Sequence, residues 1–176
     1  FGSKVTGAAA VGYKLDTHHR LRASYGTAFK APTFNDLYFP DSPPFYYSNP
    51  NLKPESSETG ELGVRGQYSV WYWDASLYRT NIDDLISYDA SRGSSFNVAK
   101  ATVEGGELAM GLEWQQWRAQ LAFSALKPED EETGNIIARR AQRMGRVDVD
   151  RQIGQFSLGG TASFQGRRYN DAANTQ

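Results

Sequence analysis

Side-chain polarity alternates with a period of two along most of the chain, and this pattern sets the strongest limit on what the chain can fold into. From Leu21 to Phe29, the odd positions hold Leu, Ala, Tyr, Thr and Phe, while the even positions from 20 to 30 include two arginines and a lysine. Successive side chains of a β-strand point to opposite faces, so this alternation predicts a strand. The same pattern recurs in seven further segments: 5–13, 62–70, 71–77, 108–114, 117–123, 145–149 and 156–164. We therefore predict an all-β chain of eight strands without a helix.

Two places blur the alternation. The Gly105-Gly106 pair allows a β-bulge that would shift the phase of its strand. In residues 139–144 either face could be the inner one.

The connections between predicted strands alternate between short and long. Short connections are expected at 16–19, near Val70, at 115–116 and at 152–155, and longer ones at 31–58, 89–95, 127–138 and from Asn170 onward. In an antiparallel up-and-down meander, alternate connections lie at the same end of the sheet. One end of the sheet is thus predicted to have only short turns and the other to carry the long loops, as in transmembrane β-barrels of the outer-membrane type.

Aromatic residues gather at the short connections. Trp71, Trp73, Trp114 and Trp117 flank two of these turns, and Tyr68 lies beside one of them. Indole and phenol rings favour the membrane–water interface, so these residues are predicted to form an interfacial girdle. The alternative is that they are core aromatics of a soluble β-sandwich.

The polar positions of each strand are predicted to face the inside of a barrel. They are Arg65, Gln67, Asp74, Ser76, Arg118, Gln120, Arg146, Asp148, Asp150, Ser157, Thr161, Ser163 and Gln165. An arginine or lysine that faces lipid at the bilayer midplane costs about 2–4 kcal/mol, whereas one that faces a watery lumen costs little. We therefore expect a lumen that holds water or a folded plug.

Composition argues against several other functions. Nineteen basic and twenty acidic residues nearly cancel, so no field of one sign recruits nucleic acid. The chain has no cysteine, and His18 and His19 are neighbours in a short turn whose side chains diverge. No phosphate-binding glycine loop or nucleophile–histidine pattern is present. We expect no enzyme activity, no catalytic residue, no metal site and no cofactor.

Several segments carry a resemblance to a known family. The stretches "SYGTAFKAPTFNDLYF", "NPNLKPESSETGELGVRG", "YRTNIDDLISYD", "NVAKATVEGGEL", "ARRAQR" and "GRRYND" occur in this order along the chain. Together they resemble the barrel of TonB-dependent outer-membrane receptors, most closely the cobalamin (vitamin B12) transporter branch.

The resemblance implies an arc of a larger barrel of about 22 strands in the outer membrane of a Gram-negative bacterium. Residues 1–176 would form part of the barrel domain, with the plug domain and the last strands absent. The implied function is binding of cobalamin at the extracellular loops and its import with energy transduced by TonB, so that cobalamin is cargo rather than cofactor. Implied partners are cobalamin or another large chelate, outer-membrane lipid, the protein's own plug domain and the TonB complex. A ferric siderophore or haem receptor is the alternative, and a soluble all-β binding module is a third possibility.

The long connection at 31–58 is rich in rings and turn-forming residues. It contains Phe34, Tyr38, Phe39, Phe45, Tyr46 and Tyr47, followed by Asn49 and Asn51 on either side of a proline. The rings either pack on one another to keep the loop compact or face the mouth and stack on a flat ligand. Tyr38, Tyr46, Tyr47, Asn49 and Asn51 are therefore candidate substrate-binding residues.

Arg139 is the remaining candidate. The resemblance places the first arginine of the Arg139-Arg140 pair at the mouth near the substrate. The alternative is an ion pair between Arg139 and Glu131 or Glu132. The acidic run 129–132 could bind calcium, although solvated loop charge is the favoured interpretation.

Overall fold

A computed structural model describes residues 3–175 as one antiparallel sheet of eight strands in chain order. The elements are β1 (Ala8–Lys14), β2 (His19–Lys30), α1 (Phe34–Tyr38), β3 (Glu55–Gln67), β4 (Trp71–Asp89), β5 (Ser94–Trp114), β6 (Trp117–Asp130), β7 (Arg143–Ile153) and β8 (Phe156–Gln165). Each strand pairs with the next, which confirms the predicted meander of eight strands. The short helix α1 was not predicted. Within residues 3–175, no helix is long and apolar enough to cross a membrane.

The strand register separates two faces of different chemistry. Leu21 pairs with Val64, which is followed across the sheet by Ala75, Leu108 and Phe123. The adjacent row on the opposite face consists of Arg22, Gly63, Ser76, Glu107 and Ser124. We call these the apolar face and the polar face. The predicted polar positions share the polar face, because an antiparallel register keeps side chains of equal phase on one side.

The apolar band on the apolar face has a defined height. Trp114 pairs with Trp117 at the short-turn end, and Glu104 is flanked by Arg79 and Lys127 toward the other end. The roughly ten residues from Glu104 to Trp114 extend about 34 Å at about 3.4 Å per residue. At a tilt of about 45°, this length covers about 24 Å, close to the roughly 25 Å apolar band of outer-membrane barrels.

Strands β4 and β5 continue beyond this band, further than their alternation predicted. Their upper parts form the main hydrophobic cluster, in which Leu85 is only 2% exposed. The cluster comprises Ile82, Leu85, Val98, Ala101, Val103 and, from the β6–β7 connection, Ile137. The β4–β5 hairpin is thus a folded support at the long-loop end.

The two ambiguous places have definite structures. No bulge occurs at Gly105-Gly106, because Leu77 pairs with Gly106 and Tyr78 with Gly105 in continuous register. Glycine is needed at Gly105 for another reason: a Cβ there would lie 2.5 Å from the Tyr78 ring. In residues 139–144, the strand begins only at Arg143, which pairs with Ala125 of the apolar face.

Candidate ligand-binding site

Three segments meet at the long-loop end of the sheet, and together we call them the rim. They are the β2–β3 connection (31–54), the tip of the β4–β5 hairpin (85–98) and the β6–β7 connection (131–142). All the candidate substrate-binding residues lie in the first and third segments.

The β2–β3 connection begins with α1, whose start is fixed by a capping box. The Thr33 hydroxyl accepts a hydrogen bond from the Asp36 backbone N–H at 3.1 Å, and the Asp36 carboxylate accepts one from the Thr33 N–H at 3.1 Å. This reciprocal arrangement satisfies backbone donors that the first turn leaves unpaired. A prediction of strands alone missed this signal, which is readable as "TFND" after a proline.

Asp36 also ties α1 to the hairpin. The Ser95 hydroxyl donates to Asp36 Oδ1 at 2.8 Å. Burial raises the pKa of Asp36, but the hydrogen bonds from Thr33 and Ser95 outweigh it and hold the pKa below its ordinary value.

The rest of the connection is bound to the hairpin by backbone and amide contacts. The Asn49 amide donates to the Ser95 carbonyl at 3.0 Å, and the Tyr47 N–H donates to the Gly93 carbonyl at 2.8 Å. Asn97 accepts from the Lys53 N–H at 2.9 Å and donates to the Lys53 carbonyl at 3.0 Å. The long connection is therefore packed onto the hairpin along its length.

The aromatic rings of this connection pack partly on one another, as the first of the two interpretations predicted, and stacking on a ligand stays a prediction. Phe34 lies 5.5 Å from Tyr38, and Phe39 lies 5.7 Å from Tyr46, measured between ring centroids. The Tyr46 hydroxyl donates to the Asn35 carbonyl at 2.5 Å. Phe34 and Phe45 nevertheless remain 73% and 76% exposed. The rings make the loop compact and still present apolar surface.

The structure gives the candidate residues of this loop different surroundings. Tyr46 and Asn49 use their polar atoms within the loop and the hairpin tip. Tyr38, Tyr47 and Asn51 have exposed side chains, and the Asn51 N–H donates to Asn49 Oδ1 at 3.1 Å. A ligand contact by any of them stays a prediction.

Arg139 is held by its backbone and by an aromatic ring. It has a φ of +63°, and its N–H donates to the Tyr169 carbonyl at 2.7 Å. Its guanidinium lies 4.5 Å from the ring centroid of Tyr88. The predicted alternative partners behave differently: Glu131 accepts a hydrogen bond from Thr102, and the Glu132 N–H donates to an aspartate. Among the described residues, Arg139 forms no ion pair.

Residues of the acidic run 129–132 form an ion pair and hydrogen bonds with nearby residues of the chain. Glu129 pairs with Lys127, and Asp130 Oδ1 accepts from the Glu132 N–H at 2.9 Å and the Thr133 N–H at 3.3 Å. Across residues 3–175, no group of three His, Cys, Asp or Glu side chains is arranged to hold a metal ion.

Tyr88 is the rim residue that the sequence analysis missed. Its hydroxyl donates a hydrogen bond to the Phe45 carbonyl at 3.2 Å, and its ring forms a cation–π contact with the Arg139 guanidinium. Tyr88 belongs to the quoted stretch "YRTNIDDLISYD" but lies beyond the alternating part of its strand, so no pattern singled it out.

The predicted girdle residues lie at the opposite end of the sheet. Tyr68 stacks on Trp71 at 4.5 Å and on His18 at 4.9 Å, and Arg151 lies 4.8 Å from the Trp117 ring. Trp73 crosses over Gly66. Their role at a membrane interface stays a prediction.

An apolar band of membrane height, a polar opposite face and a loop-bearing rim define an arc of an outer-membrane β-barrel. The family described as "TonB dependent receptor-like, beta-barrel" matches residues 1–176, and the chain belongs to this family. A vitamin B12 transporter from Photobacterium profundum is 34% identical over 183 aligned residues, covering 100% of this chain and 29% of that protein.

Solved structures share the fold. The copper transporter OprC has a TM-score of 0.76 and 19% identity, covering 95% of this chain and 27% of that chain. The siderophore receptor PiuA from Acinetobacter baumannii has a TM-score of 0.73 and 19% identity, covering 96% and 27%. The chain spans under a third of the length of each of these relatives. Members of the family are outer-membrane proteins of Gram-negative bacteria, so the apolar face meets lipid and the rim is extracellular. This location excludes the soluble binding module.

Proposed function

We propose that the whole protein containing this chain binds cobalamin at its extracellular rim and imports it with energy supplied through the TonB complex. The observation that carries the proposal is the 34% identity to a vitamin B12 transporter across the entire chain. The plug domain that the family implies would lie against the polar face.

The rim offers chemistry that suits such a cargo. A corrin is a broad, flat ring with amide groups at its edge, and binding sites for such ligands combine apolar surface with a few fixed polar groups. Phe34 and Phe45 present apolar surface, and Tyr38 and Asn51 are exposed nearby in sequence. Arg139 presents the hydrogen-bond donors of its guanidinium, which already lies against the Tyr88 ring.

The test is a titration of cyanocobalamin into the whole protein, purified in detergent, with Arg139→Ala as the variant. A hydrogen bond to a charged group contributes about 1.5–3 kcal/mol, so we expect affinity to fall about 10- to 150-fold. Arg151→Ala is the matched control, because Arg151 also lies on an aromatic ring but at the opposite end of the barrel.

The outcomes of this titration distinguish the identity of the cargo from the location of its binding site. Tight binding that Arg139→Ala weakens and Arg151→Ala leaves unchanged supports both parts of the proposal. Tight binding that is indifferent to Arg139→Ala keeps the cargo and refutes the role of Arg139. A well-folded barrel that does not bind cyanocobalamin refutes the cargo.

A second cargo class, a ferric siderophore or haem, is favoured by four arginines on the β6–β7 connection and the segment that follows β8. Arg139, Arg140, Arg167 and Arg168 lie on two segments that are joined by hydrogen bonds from Arg139 to Tyr169 and from Gln142 to Arg167. Among residues 3–175, none of these four arginines forms an ion pair. Such a surface attracts an anionic chelate, so ferric siderophores and haem form the second arm of the titration.

A further inference from the structure

Tyr88 connects the two rim segments that carry the candidate ligand contacts. Its ring lies beneath the guanidinium of Arg139, which comes from the β6–β7 connection. Its hydroxyl donates to the carbonyl of Phe45, in the β2–β3 connection. One side chain thus contacts an element on each side of the hairpin tip.

Tyr88 is itself well fixed. It pairs with Ser95 near the end of β4, and Ser95 is buried and donates to Asp36. The neighbouring Asp89 is also buried, and its carboxylate accepts hydrogen bonds from the N–H and hydroxyl of Ser91. The hairpin tip therefore fixes the backbone from which the Tyr88 side chain extends.

Arg139 needs such a support. Its backbone is held in the left-handed region and by Tyr169, which fixes where the side chain starts but leaves its torsions free. A long arginine side chain loses considerable conformational entropy when it is ordered. A ring beneath the guanidinium orders the side chain before a ligand arrives, and ordering in advance raises affinity.

We propose that Tyr88 is a positioning residue that holds Arg139 and the aromatic loop as a single binding surface. The proposal deepens the proposed function and rests on it where cargo affinity is concerned. The ring supports Arg139, and the hydroxyl anchors the loop at Phe45. The two roles are separable, because Tyr88→Phe removes only the hydroxyl and Tyr88→Leu removes the ring as well.

The first test measures cyanocobalamin affinity of the whole protein. Arg139 is exposed, and a cation–π contact at an exposed site corresponds to about a 2- to 5-fold effect, so Tyr88→Leu is expected to weaken binding by that factor. Tyr88→Phe keeps the ring and is expected to restore most of the affinity. In the Arg139→Ala background, Tyr88→Leu is expected to weaken binding no more than Tyr88→Phe does, because only the loop anchor is left to lose. Wild-type affinity in Tyr88→Leu, or full additivity with Arg139→Ala, overturns the proposal.

The second test needs no cargo and separates failure of this proposal from failure of the proposed function. In the free protein, Tyr88→Leu is expected to raise the rate at which phenylglyoxal modifies Arg139, with Arg151 as the internal reference. Tyr88→Phe is expected to leave that rate unchanged but to speed amide exchange at Tyr47 about two- to tenfold, as expected from one lost hydrogen bond. Unchanged reactivity of Arg139 in Tyr88→Leu refutes the positioning role whatever the cargo is.

Discussion

An arginine at the centre of the apolar face should destabilise the barrel by a predictable amount. Phe123 belongs to the row that contains Leu108, between the tryptophan row and the Glu104 row, and it is 42% exposed on the apolar face. Phe123→Arg therefore places a charge near the bilayer midplane. The expected cost is about 2–4 kcal/mol, which lowers the folding equilibrium constant about 30- to 1000-fold.

The assay is urea unfolding of the whole protein in lipid vesicles, with the folded fraction read from its heat-modifiable mobility on gels. Phe123→Leu controls for loss of the ring and should cost less than about 1.5 kcal/mol. Gln120→Arg is the matched control for charge, because Gln120 lies on the polar face of the same strand, opposite Asp148. Equal destabilisation by Phe123→Arg and Gln120→Arg would refute the assignment of the faces.

Three further predictions concern packing within the sheet and contacts at the rim. Gly105→Val should cost about 1–3 kcal/mol through its clash with the Tyr78 ring, whereas Gly60→Val, which meets open space, should be tolerated in the same urea titration. Leu85→Ala should cost about 2–5 kcal/mol by opening a cavity in the hairpin cluster, and unchanged protease resistance of the extracellular loops would contradict it. The pKa of Asp36 is lowered in the folded protein, so the hydrogen bonds that its carboxylate accepts from Thr33 and Ser95 contribute their full stability above the ordinary aspartate pKa of 3.8. This contribution is lost as the pH falls through the lower pKa of the folded state. Asp36→Asn should remove this pH dependence of amide exchange in the loop, and an unaltered pH profile would count against this contribution.

The polarity pattern allowed the strands, their order and their faces to be predicted. Alternation of polarity is a local property of the sequence. Because exposing a charge to lipid is costly, the alternation also indicates which face of each strand meets lipid. The alternation of short and long connections identified the end that carries the loops, because an antiparallel meander returns to the same end at every second turn.

The rim could be predicted only in part. The ring-rich loop was identified from its own residues and Arg139 through a resemblance, and the structure places both at the rim. Tyr88 was missed, and so was the extension of β4 and β5 into a folded hairpin above the membrane. Outside the bilayer both faces of a strand can be buried by loops, so the alternation that marks a lipid-facing strand disappears there.

The order of the strands and the chemistry of their two faces therefore follow from the sequence alone, because two-residue periodicity and the bilayer act on each strand separately. Which rim residues meet depends on the folded arrangement of the loops. The contact of Tyr88 with both Arg139 and Phe45 joins residues that are 51 and 43 positions away. Such contacts depend on how the loops fold over the hairpin, which no local pattern records.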